Sequence, residues 1–138
     1  MVREFEGSQP GLPRNFVRPC LLLLLAEQPS HGYDLLERLP ELGYRQVDPG
    51  GIYRALRAME QEGLVGSAWE PSGAGPPRRR YGLTADGLDW LHAWAATVAE
   101  TRRVAELFLT RYDDVSTVSP AALRAEQSRW GRSARPTK

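Results

Sequence analysis

Prolines and glycines cut this chain into lengths that leave little choice of fold. Pro29-Ser30 closes a leucine-rich stretch, and Pro40 with Gly43 closes a shorter one. Pro49 opens a third stretch and Gly63 ends it. A dense Pro/Gly run, "PSGAGPPRRR" from Pro71 to Arg80, follows. After Gly87 neither residue recurs before Tyr112. Proline cannot continue a helix and glycine ends one readily, so the breaks set the element lengths.

Between the breaks the apolar pattern names the elements. Asn15 is the expected N-cap of a first helix that runs to about Gln28, and its leucine centre implies burial on more than one side. His31-Gly32-Tyr33 opens a second helix, to about Leu39. Asp48 and Pro49 supply a cap and a fixed first turn for the third, which ends at Glu62 before a left-handed Gly63. Leu64 to Glu70 reads as a strand, residues 71–80 as a loop and Tyr81-Gly82-Leu83 as a second strand. Thr84 caps a long helix from Ala85 to about Tyr112, and Ser119-Pro120 starts a short one to about Trp130. The predicted fold is mainly α with a small β-hairpin: a winged helix-turn-helix with a long C-terminal dimerisation helix. The expected divisions are a flexible arm over 1–14, a DNA-binding domain over 15–83, the dimerisation helix over 84–115, and a short helix with a basic tail over 116–138.

The third stretch, "PGGIYRALRAMEQEGLV" from Pro49 to Val65, carries its charges in the wrong order for its own dipole. Arg54 and Arg57 lie in its first half, and Glu60 and Glu62 at its end, where a helix prefers cations. Ile52, Leu56 and Met59 form the buried stripe, which leaves Tyr53, Arg54 and Arg57 outside. A basic amino-terminal half entering a DNA major groove, with the acids held out of it, accounts for this order. Gly50 and Gly51 would let a phosphate approach the backbone closely. The plain alternative is a solvated face. Arg78, Arg79 and Arg80, on the hairpin after a helix-turn-helix, favour DNA contact.

Composition excludes other classes. The net charge is +1, yet the positive charge is almost all arginine, with Lys138 the sole lysine. Arginine suits phosphate and guanine, although a biased base composition explains the preference equally well. One cysteine, Cys20, permits no internal disulfide, which fits a cytoplasmic chain; it is expected to be buried and inert. The run from Leu21 to Ala26 is too short to span a membrane and lacks a following leader-cleavage pattern. His31 and His92, the only histidines, have no ligand partners at metal spacing; His31 is expected to order the turn into the second helix. No nucleophile elbow or phosphate loop occurs, so no catalytic residue, metal or cofactor is expected.

Three segments, "LLLLLAEQPSHGYDLLERL", "GGIYRALRAMEQEGLV" and "GPPRRRYGLTADG", together resemble the PadR-like family of bacterial transcription regulators. The resemblance covers about Phe16 to Tyr112. It implies a dimeric winged helix protein, usually a repressor, whose last helix dimerises. It also implies release of DNA when a small aromatic or drug-like molecule binds near the dimer interface. Carried over by position, Tyr53 and Arg54 lie on the recognition helix and Arg78 to Arg80 on the wing. Gly51 departs from the pattern, which commonly has Thr there, so the hydroxyl contact to phosphate that the family implies is replaced, if at all, by a backbone contact.

The last helix predicts a partner independently. Leu88, Leu91, Ala95, Val98, Ala105, Leu109 and Tyr112 follow a seven-residue pattern, broken by Arg102. Trp90, Trp94, Thr97, Thr101, Val104 and Phe108 form a second stripe beside it. One small domain does not easily cover both, so a homodimer is expected through Leu91, Val98, Ala105, Leu109 and Tyr112. Trp90 and Trp94, with Phe16 opposite, are the candidate platform for an aromatic effector; interface packing is the other reading of the pair. The sequence therefore reads as a cytoplasmic, homodimeric regulator that binds double-stranded DNA and responds to a ligand. The competing reading is a winged-helix interaction or ligand-binding module without an operator.

Overall fold

The computed structural model describes residues 15–44 and 46–133. The arm expected over 1–14 and the end of the basic tail lie outside the described residues. Helix α1 (Val17–Glu27) is followed by a two-residue strand β1 (Ser30–His31) and by α2 (Gly32–Arg38). A 3-10 turn over Leu39–Leu42 leads to α3 (Pro49–Gln61). Strands β2 (Val65–Ser72) and β3 (Gly75–Leu83) precede α4 (Ala85–Val115) and α5 (Pro120–Ser133). The sheet is antiparallel in the order β1-β3-β2. This is the expected winged helix-turn-helix with a long C-terminal helix.

The core forms where the breaks bring apolar faces together. In α1, Cys20, Leu21, Leu22, Leu24 and Leu25 are all buried, so the helix is covered on more than one side as its composition demands. Each leucine removed from water contributes about 1.5–3 kcal/mol. Leu35, Leu39, Tyr44, Ile52, Leu56, Met59, Val65 and Tyr81 complete the cluster. The stripe read from α3 is therefore the buried one. Gly63 takes a left-handed φ of +83° and ends α3 as expected. Thr84 caps α4: its hydroxyl accepts from the Gly87 N–H at 2.9 Å and donates to the Gly63 carbonyl at 2.7 Å. Ser119 caps α5 through the Ala121 and Ala122 N–H groups.

Four local expectations are corrected. Asn15 is not the N-cap of α1; it has a left-handed φ of 57°, and Phe16 stands at the cap. Asn is one of the few residues that tolerate that conformation. The second helix stops at Arg38, and Pro40 forces the tighter 3-10 turn that follows. The hairpin is not two short strands around a ten-residue loop. Both strands run almost to the tip, where Gly73 takes a left-handed φ of +64°. Pro71 falls in the irregular step between Glu70 and Ser72, where a missing donor costs no ladder bond. Finally, the sheet has a third strand, because Ser30 and His31 pair with Tyr81 and Arg80.

The chain divides into two compact units, Met1–Thr97 and Val98–Lys138. The first holds the buried cluster. The described side chains of the second are almost all exposed, including Val104, Leu107, Phe108, Leu109, Tyr112, Val115, Leu123 and Trp130.

Candidate nucleic-acid interface

The outer face of α3 and the β2–β3 hairpin carry the nominated side chains. Arg54 and Arg57 are exposed. Arg54 reaches back over the first turn of α3, where its Nη2 lies 3.6 Å from Asp48 Oδ2. Asp48 is the N-cap residue but makes no capping hydrogen bond. The pair passes over Gly50 and Gly51: a Cβ at Gly50 would sit 3.2 Å from Arg54 Nη1, and one at Gly51 3.0 Å from Asp48 Oδ2. A carboxylate thus stands close to the helix N-terminus that the sequence offers to a phosphate. Arg57 has no ion pair among the described residues.

Tyr53 is less free than its position on the helix wheel implies. Its ring packs on the backbone of Gly32, where a Cβ would lie 2.3 Å from Tyr53 Cε1. Only glycine fits between the start of α2 and this ring, which explains the middle residue of His31-Gly32-Tyr33.

Arg78, Arg79 and Arg80 belong to a strand, not a loop, so they alternate in direction. Arg79 faces α3: its guanidinium stacks 4.9 Å from the Trp69 ring centroid and its Nη2 lies 3.7 Å from Glu60 Oε2. Arg78 and Arg80 face the other way. Arg78 lies over the Tyr33 ring at 5.1 Å and donates to the Tyr33 hydroxyl. Arg80 lies 3.2 Å from Glu70. Glu70 in turn sits 2.7 Å from His31 Nε2, while His31 Nδ1 is 3.4 Å from Asp34. The hydrogen bond with His31, then Arg80, holds the Glu70 carboxyl below its usual range. His31 does order the entry to α2, and it also ties that entry to the hairpin.

The acids at the end of α3 have partners that the sequence did not name. Glu62 accepts two hydrogen bonds from Arg18 of α1, at 2.8 and 2.9 Å, which lower its pKa. Glu60 accepts from Ser67 Oγ at 2.7 Å as well as meeting Arg79. The reversed charge order of α3 therefore fastens its far end to α1 and to the hairpin. Burial raises the Cys20 thiol to about 11, which keeps it protonated and unreactive at neutral pH.

The proposed ligand platform is partly brought together. Trp90 and Trp94 are neighbours, with ring centroids 5.6 Å apart and planes tilted by 42°. Phe16 does not join them; it stacks on Tyr44 at 6.5 Å. Trp90 and Leu91 both pack against the buried core. Val98 is half-buried, and Ala105, Leu109 and Tyr112 are exposed. Among the described residues no His/Cys/Asp/Glu cluster suits a metal, and no helix is long and apolar enough to cross a membrane.

Three helices, the last flanked by a cationic hairpin, define a winged helix of the kind used by transcription regulators. The chain belongs to the PadR-like family of transcriptional regulators, whose family model matches residues 21–93. The members are regulators, not enzymes. A PadR-like transcription factor from Bacteroides fragilis has 28% identity and a TM-score of 0.61, over 68% of this chain and 90% of that one. A PadR-like regulator from Bacillus cereus has 26% identity and a TM-score of 0.63, over 69% and 92%. A conserved protein described as a potential transcriptional factor reaches 32% identity and a TM-score of 0.66, over 78% and 96%. No curated protein matches the chain.

Proposed function

We propose that this regulator is a repressor that binds a palindromic operator as a homodimer, in the cytoplasm, and releases it on binding a small aromatic effector. In this reading residues 15–83 read DNA and 84–115 dimerise. The observation that carries it is the shared placement of α3 and the hairpin: Tyr53 of the one and Arg78 and Arg79 of the other line a single cleft. The outer arginines of α3 would meet base edges while the strand arginines hold the backbone beside them. The exposed apolar side chains from Val104 to Val115 support a second subunit, because a monomer seldom leaves so wide a patch uncovered.

Replacing Arg78, Arg79 and Arg80 together with alanine tests the reading. Binding to all duplexes should weaken alike, and the slope of log affinity against log salt should flatten by about 1–3 units. An unchanged slope would take the hairpin off the DNA.

The effector would lie against Trp90 or Trp94, whose indoles are adjacent and half-buried. A planar aromatic that releases DNA should quench tryptophan emission, and Trp94→Ala or Trp90→Ala should remove that binding. Survival of binding in both variants would place the effector elsewhere.

A further inference from the structure

A cavity of about 160 Å³ lies between α2, α3 and the hairpin. Its wall includes Tyr33, Tyr53, Trp69, Tyr81, Arg78 and Arg79, and among the described residues no carboxylate. The chemistry is that of an anion attached to a compact, weakly polar body: guanidiniums for the charge, ring faces for the rest. The volume is well below the roughly 300–1,000 Å³ of sites for drug-sized molecules, so the occupant is a fragment.

We propose that this cleft seats one deoxyribose phosphate of the DNA backbone in each half-site. The inference rests on the DNA-binding reading and deepens it. Adjoining major and minor grooves of a duplex are separated by a single backbone strand. With α3 in the major groove and the hairpin at the next groove, that strand must cross the space between them, which is this cleft. One wall is Tyr53 of α3 and the other is Trp69, Arg78 and Arg79 of the hairpin.

The polar groups suit the task. β1 ends at His31, so beyond Arg80 this edge of β3 has no strand partner, and Pro77, Arg78 and Arg79 border the cavity instead. The Tyr33 hydroxyl accepts from Arg78, which leaves its own proton free to donate to a phosphate oxygen. Such a chain, from guanidinium to hydroxyl to phosphate, strengthens each link. Arg79 holds Glu60 only at 3.7 Å and keeps donors for the same phosphate. Trp69 is 64% exposed, which is unusual for an indole with only a structural duty, and its ring offers a face to the sugar. Neither Tyr33 nor Trp69 was marked by the sequence pattern as a contact.

The test uses a duplex that the protein binds, with single phosphates replaced in turn by neutral methylphosphonates. Tyr33→Phe keeps the ring under Arg78 and so preserves the fold. It should weaken binding about tenfold per half-site, about a hundredfold for two, the worth of a hydrogen bond to a charged group in each. One methylphosphonate per half-site should cost the unaltered protein a clearly larger factor than it costs Tyr33→Phe, which keeps only the Arg79 contact to that phosphate. Trp69→Phe should retain that coupling, and Trp69→Ala should weaken binding with the same phosphate dependence. If every position is equally sensitive in both proteins, the cleft holds no phosphate and the proposal is overturned. If a mononucleotide such as dTMP displaces the duplex, and Trp69→Ala abolishes that displacement, the site belongs to a free nucleotide and the proposal is equally overturned. A protein that binds no duplex at all fails the DNA reading as well, whereas one that binds without a coupled phosphate fails only the cleft.

Discussion

The arginines of the candidate interface are almost all engaged within the chain. Arg54 meets Asp48, Arg79 meets Glu60 and Trp69, Arg80 meets Glu70, and Arg78 lies on Tyr33. These are exposed or half-exposed pairs, which contribute little individually to stability. Their consequence is for binding, because each contact with DNA must replace an internal one. Arg57 is the exception, exposed and without an ion pair among the described residues. Arg57→Ala should therefore cost the most per residue: about 1–3 kcal/mol on a specific site and much less on random duplex, as titrations on the two DNAs would show. Arg54→Ala should show a smaller difference, since it gives up Asp48 to reach a base. Equal losses on both DNAs would assign Arg57 to a phosphate instead.

At the scale of elements, the sequence was legible wherever one local rule decides. Gly63 and Thr84 end and start helices through their own backbone and side chain, and both stand where the pattern put them. The α3 stripe was legible because burial follows its 3.6-residue period. The hairpin was not: Pro71, Gly73, Pro76 and Pro77 signal a loop by composition, and pairing across the sheet overrides that signal. A register symmetric about Ala74 would have set Trp69 against Arg79, and it was the one available clue to their contact. The strand at Ser30 and His31 is too short for any period to register. Gly87 shows the same limit. It read as one motif position, yet a Cβ there would lie 2.0 Å from the Leu64 carbonyl oxygen and 2.8 Å from Leu83 Cδ1. Gly87→Ala must push α4 off the sheet, and should destabilise by about 1–3 kcal/mol. Thermal unfolding would check this. An unchanged midpoint would mean that the helix shifts without cost.

For the whole molecule, one unit carries a closed core and the other leaves its apolar side chains in water. Phe108 is 66% exposed and Leu109 56%. In the proposed reading a second copy covers this helix, and a two-fold pair of winged helices would read two inverted half-sites. Selection of bound sequences from random duplex by the purified protein tests this account most directly. It predicts enrichment of an inverted repeat with half-sites about 34–36 Å apart, one turn of DNA, bound at least about 10³-fold more tightly than random duplex at the same salt. Recovery of unenriched sequence, with selected and random duplex bound equally well, would contradict it.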